Sequence, residues 1–145
     1  FPEKCWGNLN YSKLAKFLLK DSSNQLRIIG SKEDADRIQF TKTDQFMNLC
    51  GELSLRESAA LVAVSDCVVT NTSLCMHLAG AFNIPSLTLL GDCYNSSKLH
   101  KKQWGYPEGL VIGKELSTKQ DSIATPEEAY NILTKLLRDK SNLHL

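Results

Sequence analysis

The sequence predicts an α/β fold: a doubly wound, mostly parallel sheet of about five strands with helices on both faces. Short apolar runs alternate with stretches of helical periodicity along the 145 residues, and this alternation is typical of β-α units around a parallel sheet. Residues 51–91 carry only four charged side chains, Glu52, Arg56, Glu57 and Asp66. We therefore expect this stretch to supply much of the core.

The predicted strands are short apolar runs that end in glycine or a polar residue. They cover residues 26–30, 46–50, 67–70, 87–90 and 110–112. Two of these runs end at Gly30 and Gly91, and a third is followed by Asn71. Because ligands of such sheets bind outside the carboxyl ends of the strands, these three positions indicate where a site would lie.

Five helices are predicted from apolar faces and from start signals. The first helix has an apolar face of Leu14, Phe17 and Leu18. Ser31 with Asp34, and the capping box of Ser54 and Glu57, mark the starts of the second and third helices. The fourth covers residues 76–82 after Ser73, and the fifth begins at Thr125-Pro126 with Ile132 and Leu136 inward. Residues 92–108, which include Trp104 and Tyr106, are predicted to be a polar loop, and a loop of this length is a usual place for a binding lid.

Composition excludes several classes of protein. With 17 Lys and Arg against 16 Asp and Glu, the chain lacks the positive charge of a dedicated nucleic-acid binder. No apolar run approaches the roughly 20 residues that span a bilayer. Five cysteines without a C-x-x-C pair favour small buried hydrophobes in a reducing compartment over zinc ligands or disulfides. The length fits one domain, and the first residues look like the interior of a longer protein.

Two strand-to-helix turns are candidates for phosphate binding. Asn71, Thr72 and Ser73 precede a helix whose first backbone N–H groups attract phosphate oxygens, although ordinary helix capping needs the same residues. His77, one turn further on, faces either the same pocket or the core. No G-x-S-x-G elbow, H-E-x-x-H pair or close carboxylate pair is present, so we assign no catalytic residue and no metal ligand.

The second turn contains Gly30 and Glu33. A glycine allows close approach of a ligand, and Glu33 either accepts hydrogen bonds from ribose hydroxyls or is simply a first-turn acid favoured by the helix dipole. The basic and aromatic residues 98–104 either hold an anionic partner or form a solvated loop.

An ordered series of motifs resembles the lipopolysaccharide heptosyltransferase-like glycosyltransferases of family nine. The series comprises Lys4-Cys5-Trp6 as a K-x-W element, residues 48–57, Ala59-Ala60-Leu61, Val69-Thr70-Asn71, residues 76–81, Ile84-Pro85 and Leu89-Leu90-Gly91. The resemblance covers about residues 4–91. It implies the Rossmann-like, nucleotide-sugar-binding C-terminal half of a two-domain GT-B enzyme, with residues 1–145 as that single domain.

The resemblance also implies ligands and roles. The donor is a nucleotide-diphosphate sugar, used without an obligatory metal or cofactor, and the acceptor is a glycolipid of the cell surface. By position, Lys4 neutralises donor phosphate, Glu33 lies near the ribose, Ser73 receives the pyrophosphate and sugar, and His77 lines the same pocket. The expected location is cytoplasmic, or peripheral on the inner membrane through the longer protein. Because an N-terminal acceptor domain would supply the catalytic base, the chain alone is expected to be inactive.

The sequence departs from the family pattern N-D-[ST]-G-x-M-H at two positions, Thr72 for Asp and Leu74 for Gly. These departures leave an alternative function, a non-catalytic α/β module that keeps the scaffold around a degenerate donor site. A strand expected before the K-x-W element lies between residues 26–30 and 67–70 in this fold. Either that strand belongs to a longer protein, or these two strands pair directly.

Overall fold

Five short parallel strands form the centre of the computed structural model, which describes residues 2–37 and 40–142. They are β1 (Leu26–Ile28), β2 (Phe46–Asn48), β3 (Val68–Thr70), β4 (Ser86–Leu89) and β5 (Gly109–Ile112). β1 pairs with β2, and β3, β4 and β5 form a second sheet in that order. All three pairings are parallel, as the alternation of strands and helices predicts.

Five helices surround the strands: α1 (Asn8–Leu18), α2 (Leu55–Ala63), α3 (Leu74–Ala81), α4 (Ser97–Trp104) and α5 (Pro126–Asn142). The predicted capping box opens α2, where the Ser54 hydroxyl accepts the Glu57 backbone N–H and Glu57 accepts the Ser54 N–H. Thr125 and Glu128 cap α5 in the same way. These local signals fix the helix starts, and packing against the strands supplies most of the helical stability.

The main core cluster lies on one face of β4. Leu87 and Leu89 of β4 pack with residues of α1 and α5, and Trp6 joins them at 1% exposure. The other β4 side chains, Ser86 and Thr88, point to the opposite face because side chains alternate along a strand. The second face is covered by α3, which contacts β3, β4 and β5. Helices therefore cover both faces, as predicted for a doubly wound sheet.

One helix prediction and one loop prediction are wrong. Ser31 opens only a single 3-10 turn, Lys32–Asp34, because residues 32–37 have no apolar side chains at helical spacing that would hold a longer helix on the core. The predicted loop 92–108 contains α4, a polar helix whose single buried residue is His100. Its start is fixed by the Ser96 hydroxyl, which accepts the Leu99 N–H at 3.0 Å.

The direct pairing of the strands at residues 26–30 and 67–70 is also wrong. In the described residues β1 pairs with β2 and β3 pairs with β4, and no ladder joins β1 to β3. The sheet is therefore divided into two hydrogen-bonded parts.

The cysteines differ in exposure. Cys50 is buried, Cys5, Cys67 and Cys75 are half-buried, Cys93 is exposed, and none forms a disulfide. Burial raises the pKa of the Cys50 and Cys75 thiols. Across residues 2–37 and 40–142, no three metal-ligating side chains cluster, and no helix there is long and apolar enough to cross a membrane.

Candidate functional site

The segment before α1 lies across the carboxyl ends of β3 and β4. The Trp6 backbone N–H donates to Asn71 Oδ1 at 3.0 Å, immediately after β3. The Cys93 N–H donates to the Glu3 carbonyl at 3.2 Å, just beyond β4. Because β3 and β4 are neighbouring parallel strands, their ends share one edge of the sheet. Lys4 is therefore held at this edge.

Gly91 allows this close approach. A Cβ atom there would lie 2.6 Å from the Lys4 carbonyl carbon and 2.7 Å from the Cys5 carbonyl oxygen. Gly91 is buried and Lys4 is exposed, so the backbone of the segment packs on the glycine while the lysine side chain extends from it. The structure thus brings together Lys4, Asn71 and Gly91, three of the predicted site residues.

The Asn71 side chain holds other parts of the chain at this edge. Its Oδ1 accepts hydrogen bonds from the Trp6 N–H and, at 2.9 Å, from the Tyr11 hydroxyl. Burial raises the pKa of Tyr11, which keeps this hydroxyl protonated as a donor. The Asn71 oxygen therefore fixes the segment around Lys4 and the start of α1 against the end of β3.

The N-terminus of α3 lies at the same edge. α2, α4 and α5 each have a hydroxyl that accepts a first-turn N–H, whereas Ser73 makes no such cap on α3. The Ser73 hydroxyl instead lies 2.8 Å from Thr70 Oγ1. Since Thr70 donates its own proton to the Asn71 carbonyl, Ser73 is the donor in this pair. The first amides of α3 are thus left without a side-chain cap, and such amides bind anions.

Two hydrogen bonds that involve histidine join the residues in and around α4 to α3 and to the turn before it. Thr72 Oγ1 lies 2.8 Å from His100 Nε2, and the Tyr94 ring packs edge-on against His100. Burial lowers the pKa of His100, so its imidazole is neutral at pH 7. On the next turn of α3, the exposed His77 makes a 2.8 Å hydrogen bond with the Tyr106 hydroxyl. Sequence reasoning missed both pairings, because the partners are 28 and 29 residues apart.

A cavity of about 550 Å³ connects this edge to the end of β1. Gly30, Ser31, Asn71, Ser73 and Leu74 are among the residues that line it. It thus joins the two strand-to-helix turns that the sequence singled out. Lys4, Thr72, His77 and Gly91 lie outside its lining, on the side toward β4 and α4.

Glu33 is exposed in the 3-10 turn and does not line the cavity. Hydrogen bonds from its own backbone N–H and from the Ser31 hydroxyl lower the pKa of its carboxyl group, which is therefore ionised at neutral pH. Sequence reasoning overlooked Arg37, which lines the cavity and forms a 2.8 Å ion pair with Asp34. Their i, i+3 spacing is a signal that could have found it.

The family model for glycosyltransferase family 9 (heptosyltransferase) matches residues 1–130. The chain belongs to glycosyltransferase family 9. Among its relatives, lipopolysaccharide heptosyltransferase 2 of Escherichia coli K12 is 35% identical over 97 residues, 62% of this chain and 28% of the relative. Lipooligosaccharide heptosyltransferase 2 of Haemophilus influenzae is 33% identical over the same length.

The solved structure of E. coli ADP-heptose lps heptosyltransferase II is also similar, with a TM-score of 0.75 and 26% identity. The superposition covers 97% of this family 9 chain and 44% of that structure. The chain thus spans 28% of the length of these two curated relatives and less than half of the solved one. The Rossmann-like, GT-B type of fold implied by the sequence is confirmed.

Proposed function

We propose that this family 9 chain is the donor-binding half of a glycosyltransferase that uses a nucleotide-diphosphate sugar. The longer protein would transfer the sugar to a glycolipid acceptor in lipopolysaccharide synthesis, at the cytoplasmic face of the inner membrane. A second, N-terminal domain would bind the acceptor and supply the catalytic base. Residues 1–145 would form one domain of that enzyme and would be inactive alone.

One observation carries this proposal: the uncapped N-terminus of α3 lies at the same sheet edge as the exposed Lys4. A diphosphate carries negative charge on the oxygens of both phosphate groups. A site that binds it therefore requires several hydrogen-bond donors or cations within a few ångströms of each other. Helix amides supply donors with the favourable end of the helix dipole. An ammonium group beside them adds a compact positive charge.

The proposed roles of the other residues follow from their positions. Gly91 lets the Lys4 segment reach the edge, and Ser73, held by Thr70, keeps the turn that aims the α3 amides. Gly30 opens the far end of the cavity. The ionised Glu33 carboxylate, in the exposed turn outside the cavity lining, would accept hydrogen bonds from ribose hydroxyls that extend beyond it. Thr72 and His77 would contact the donor sugar from the side of the site that faces α4.

The two departures from the family pattern occupy this edge. Leu74, 53% exposed, lines the cavity at the first turn of α3, and the neutral pair of Thr72 and His100 stands where the family has a carboxylate. A hydroxyl can donate to a sugar oxygen, whereas a carboxylate only accepts. We therefore expect donor selectivity to differ from that of relatives with the aspartate.

Titration of the chain with ADP, UDP, GDP and CDP, followed by their sugar conjugates, tests the proposal. Lys4→Ala should weaken the best ligand about tenfold to a hundredfold, because a hydrogen bond to a charged group contributes about 1.5–3 kcal/mol. Ser73→Ala should have a smaller effect, since its hydroxyl positions amides. Lys13→Ala and Ser22→Ala, both exposed and outside the lining of the cavity, are the matched controls.

Millimolar or weaker binding of every nucleotide, with no difference between site and control variants, would reject the donor-binding function for this chain. The double variant Thr72→Asp with Leu74→Gly then separates a degenerate site from a simple scaffold. Recovered nucleotide binding indicates a decayed donor site, and continued absence of binding indicates a scaffold.

A further inference from the structure

α4 buries a single residue, and that residue is polar. His100 is 5% exposed, whereas Lys98, Lys102 and Trp104 of the same helix are exposed to solvent. The Tyr94 ring packs edge-on against the imidazole, with 5.3 Å between the ring centroids. Burying an imidazole removes its hydrogen bonds to water, a cost that an apolar side chain at this position would not have. The polar contacts of His100 therefore need an account beyond packing.

One of the two ring nitrogens of His100 has a hydrogen-bond partner within the described residues, and the other has none. Nε2 lies 2.8 Å from Thr72 Oγ1, whereas Nδ1 is buried and unpartnered. In a neutral imidazole one nitrogen carries the proton and the other only accepts. Buried N–H groups without an acceptor are rarer in proteins than buried acceptors without a donor. The unpartnered Nδ1 therefore favours the tautomer that has its proton on Nε2.

This tautomer decides what the Thr72 hydroxyl can do. When Nε2 carries the proton, His100 donates to Thr72 Oγ1, and the proton of the hydroxyl is left to donate elsewhere. Thr72 is half-buried, and in the described part of the chain its hydroxyl has no hydrogen-bond partner besides His100. In the reverse tautomer Thr72 would donate to Nε2 and could only accept from a ligand. The proton on Nε2 thus makes Thr72 a hydrogen-bond donor.

The surroundings of Thr72 favour an anionic partner. Thr72 follows Asn71, which holds the segment of the exposed Lys4, and it precedes the uncapped start of α3 with the positive end of the helix dipole. Asp92, in the loop after β4, is ion-paired with Lys114 at 2.8 Å. The family pattern has an aspartate at position 72, which accepts from hydroxyls and repels anions. A donor at this position reverses both properties.

We propose that His100 is a positioning residue that fixes Thr72 as a hydrogen-bond donor to a carboxylate on the donor sugar, so that the site takes a nucleotide sugar of the uronic acid class. This inference rests on the proposed donor-binding function. A carboxylate has no proton and only accepts. A hydrogen bond to an ionised acceptor is about twice as strong as one to a neutral oxygen, so the carboxylate gains more from a fixed donor than a sugar hydroxyl does.

The tautomer is measured first, on the chain without any ligand. Long-range ¹H–¹⁵N correlation spectra of the imidazole rings, recorded at a pH where His100 is neutral, separate protonated from unprotonated ring nitrogens. We expect a protonated Nε2 and an unprotonated Nδ1 for His100. The reverse assignment would overturn the proposal whatever the chain binds, because Thr72 would then be an acceptor.

The ligand class is tested with sugar 1-phosphates, which contain no base, by the shifts of the α3 amide resonances. Glucuronic acid 1-phosphate should bind about tenfold or more tightly than glucose 1-phosphate, because it adds a hydrogen bond to a charged group. Thr72→Ser keeps the hydroxyl and should keep this ratio. Thr72→Val should reduce the ratio to about threefold or less, which is the contribution of a solvated attraction to Lys4.

Variants of His100 separate positioning from packing. His100→Gln retains an N–H donor and should keep the ratio, whereas His100→Leu removes the donor together with the unpartnered Nδ1 and should lower the ratio as Thr72→Val does. Gln103→Ala, on the exposed side of α4, is the matched control and should keep it. If His100 only packs, His100→Leu will weaken both sugar phosphates equally and leave the ratio unchanged, which would overturn the proposal.

The nucleotide titration keeps this inference distinct from the proposed function. If nucleotides bind while the two sugar phosphates bind equally or not at all, the carboxylate preference is wrong and the donor-binding function stands. If no nucleotide and neither sugar phosphate binds, both are rejected.

Discussion

Replacing Gly91 by alanine should displace the segment that carries Lys4. The added Cβ would lie 2.6 Å from the Lys4 carbonyl carbon and 2.7 Å from the Cys5 carbonyl oxygen, where ordinary contact begins at 3.4 Å. The obstructing atoms are backbone atoms, which cannot rotate away as a flexible side chain can. The Glu3 carbonyl oxygen would lie nearer still. The backbone must therefore move by roughly 1 Å, and overpacking of this kind costs about 1–3 kcal/mol.

Two measurements check this expectation. The midpoint of thermal unfolding should fall by roughly 2–12 °C, at about 2–4 °C per kcal/mol for a chain of this size. Affinity for the nucleotide that binds best in the panel should fall at least as much as in Lys4→Ala, because the ammonium group of the proposed site and the loop after β4 both move. Gly109→Ala is the control, since its Cβ would meet only the Ser86 hydroxyl at 3.0 Å and no backbone atom closer than 3.5 Å. If Gly91→Ala matches Gly109→Ala in both stability and nucleotide affinity, Lys4 is not held against the end of β4.

Three further predictions concern groups that support the site. Trp6→Phe should cost about 1–3 kcal/mol in urea unfolding, because the buried Ala124 carbonyl loses the indole N–H that donates to it at 2.7 Å. Thr72→Val should cost a similar amount, because His100 Nδ1 is already unpartnered among the described residues and Nε2 would lose its partner too. Burial lowers the pKa of His100 below 6.5. The stabilisation of the fold by the neutral imidazole is therefore present above pH 6.5 and is lost as the pH falls below that value. NMR titration of the imidazole should show the lowered pKa. Hydrogen bonds from Ser117, Lys98 and Ser96 lower the pKa of Glu115 to about 2, so its stabilisation is present above pH 4.5 and is lost as pH falls from 4.5 toward 2. Glu115→Gln should flatten acid unfolding in that interval, and an unchanged acid profile would contradict the assigned hydrogen bonds.

Local signals predicted those elements whose formation depends on local chemistry. The box at Ser54 and Glu57 opens α2 as expected, and all five apolar runs form strands within one or two residues of their predicted bounds. α4 was missed because it buries only His100. Its apolar residues Leu99 and Trp104 are exposed and too few to give a helical periodicity. The Ser31 helix was over-predicted because its cap is present without an apolar face behind it. A cap satisfies a helix end, but only packing extends the helix.

For the candidate site too, the sequence predicts some positions but not the contacts between distant residues. The chain order of the motifs, together with the rule for strand ends, was sufficient to place Lys4, Asn71 and Gly91 at one edge. It could not show that Asn71 anchors the backbone of Trp6, because an amide oxygen that binds a ligand and one that binds its own chain look identical in sequence. The pairings of Thr72 with His100 and of His77 with Tyr106 join residues far apart in the chain, and no periodicity reports such contacts.

Under the proposed function, the K-x-W element links stability to phosphate binding through its two outer residues. Trp6 is buried in the core cluster, donates its indole N–H to Ala124, and packs edge-on against Tyr11 at 5.1 Å. Lys4, two residues earlier, is exposed at the strand ends. A flexible lysine side chain loses rotamer entropy when it binds a phosphate. Part of the backbone entropy of the Lys4 segment is already lost during folding, when Trp6 packs into the core. Folding of the core therefore pre-positions the lysine, and a change that loosens Trp6 should weaken phosphate binding even though the indole touches no ligand.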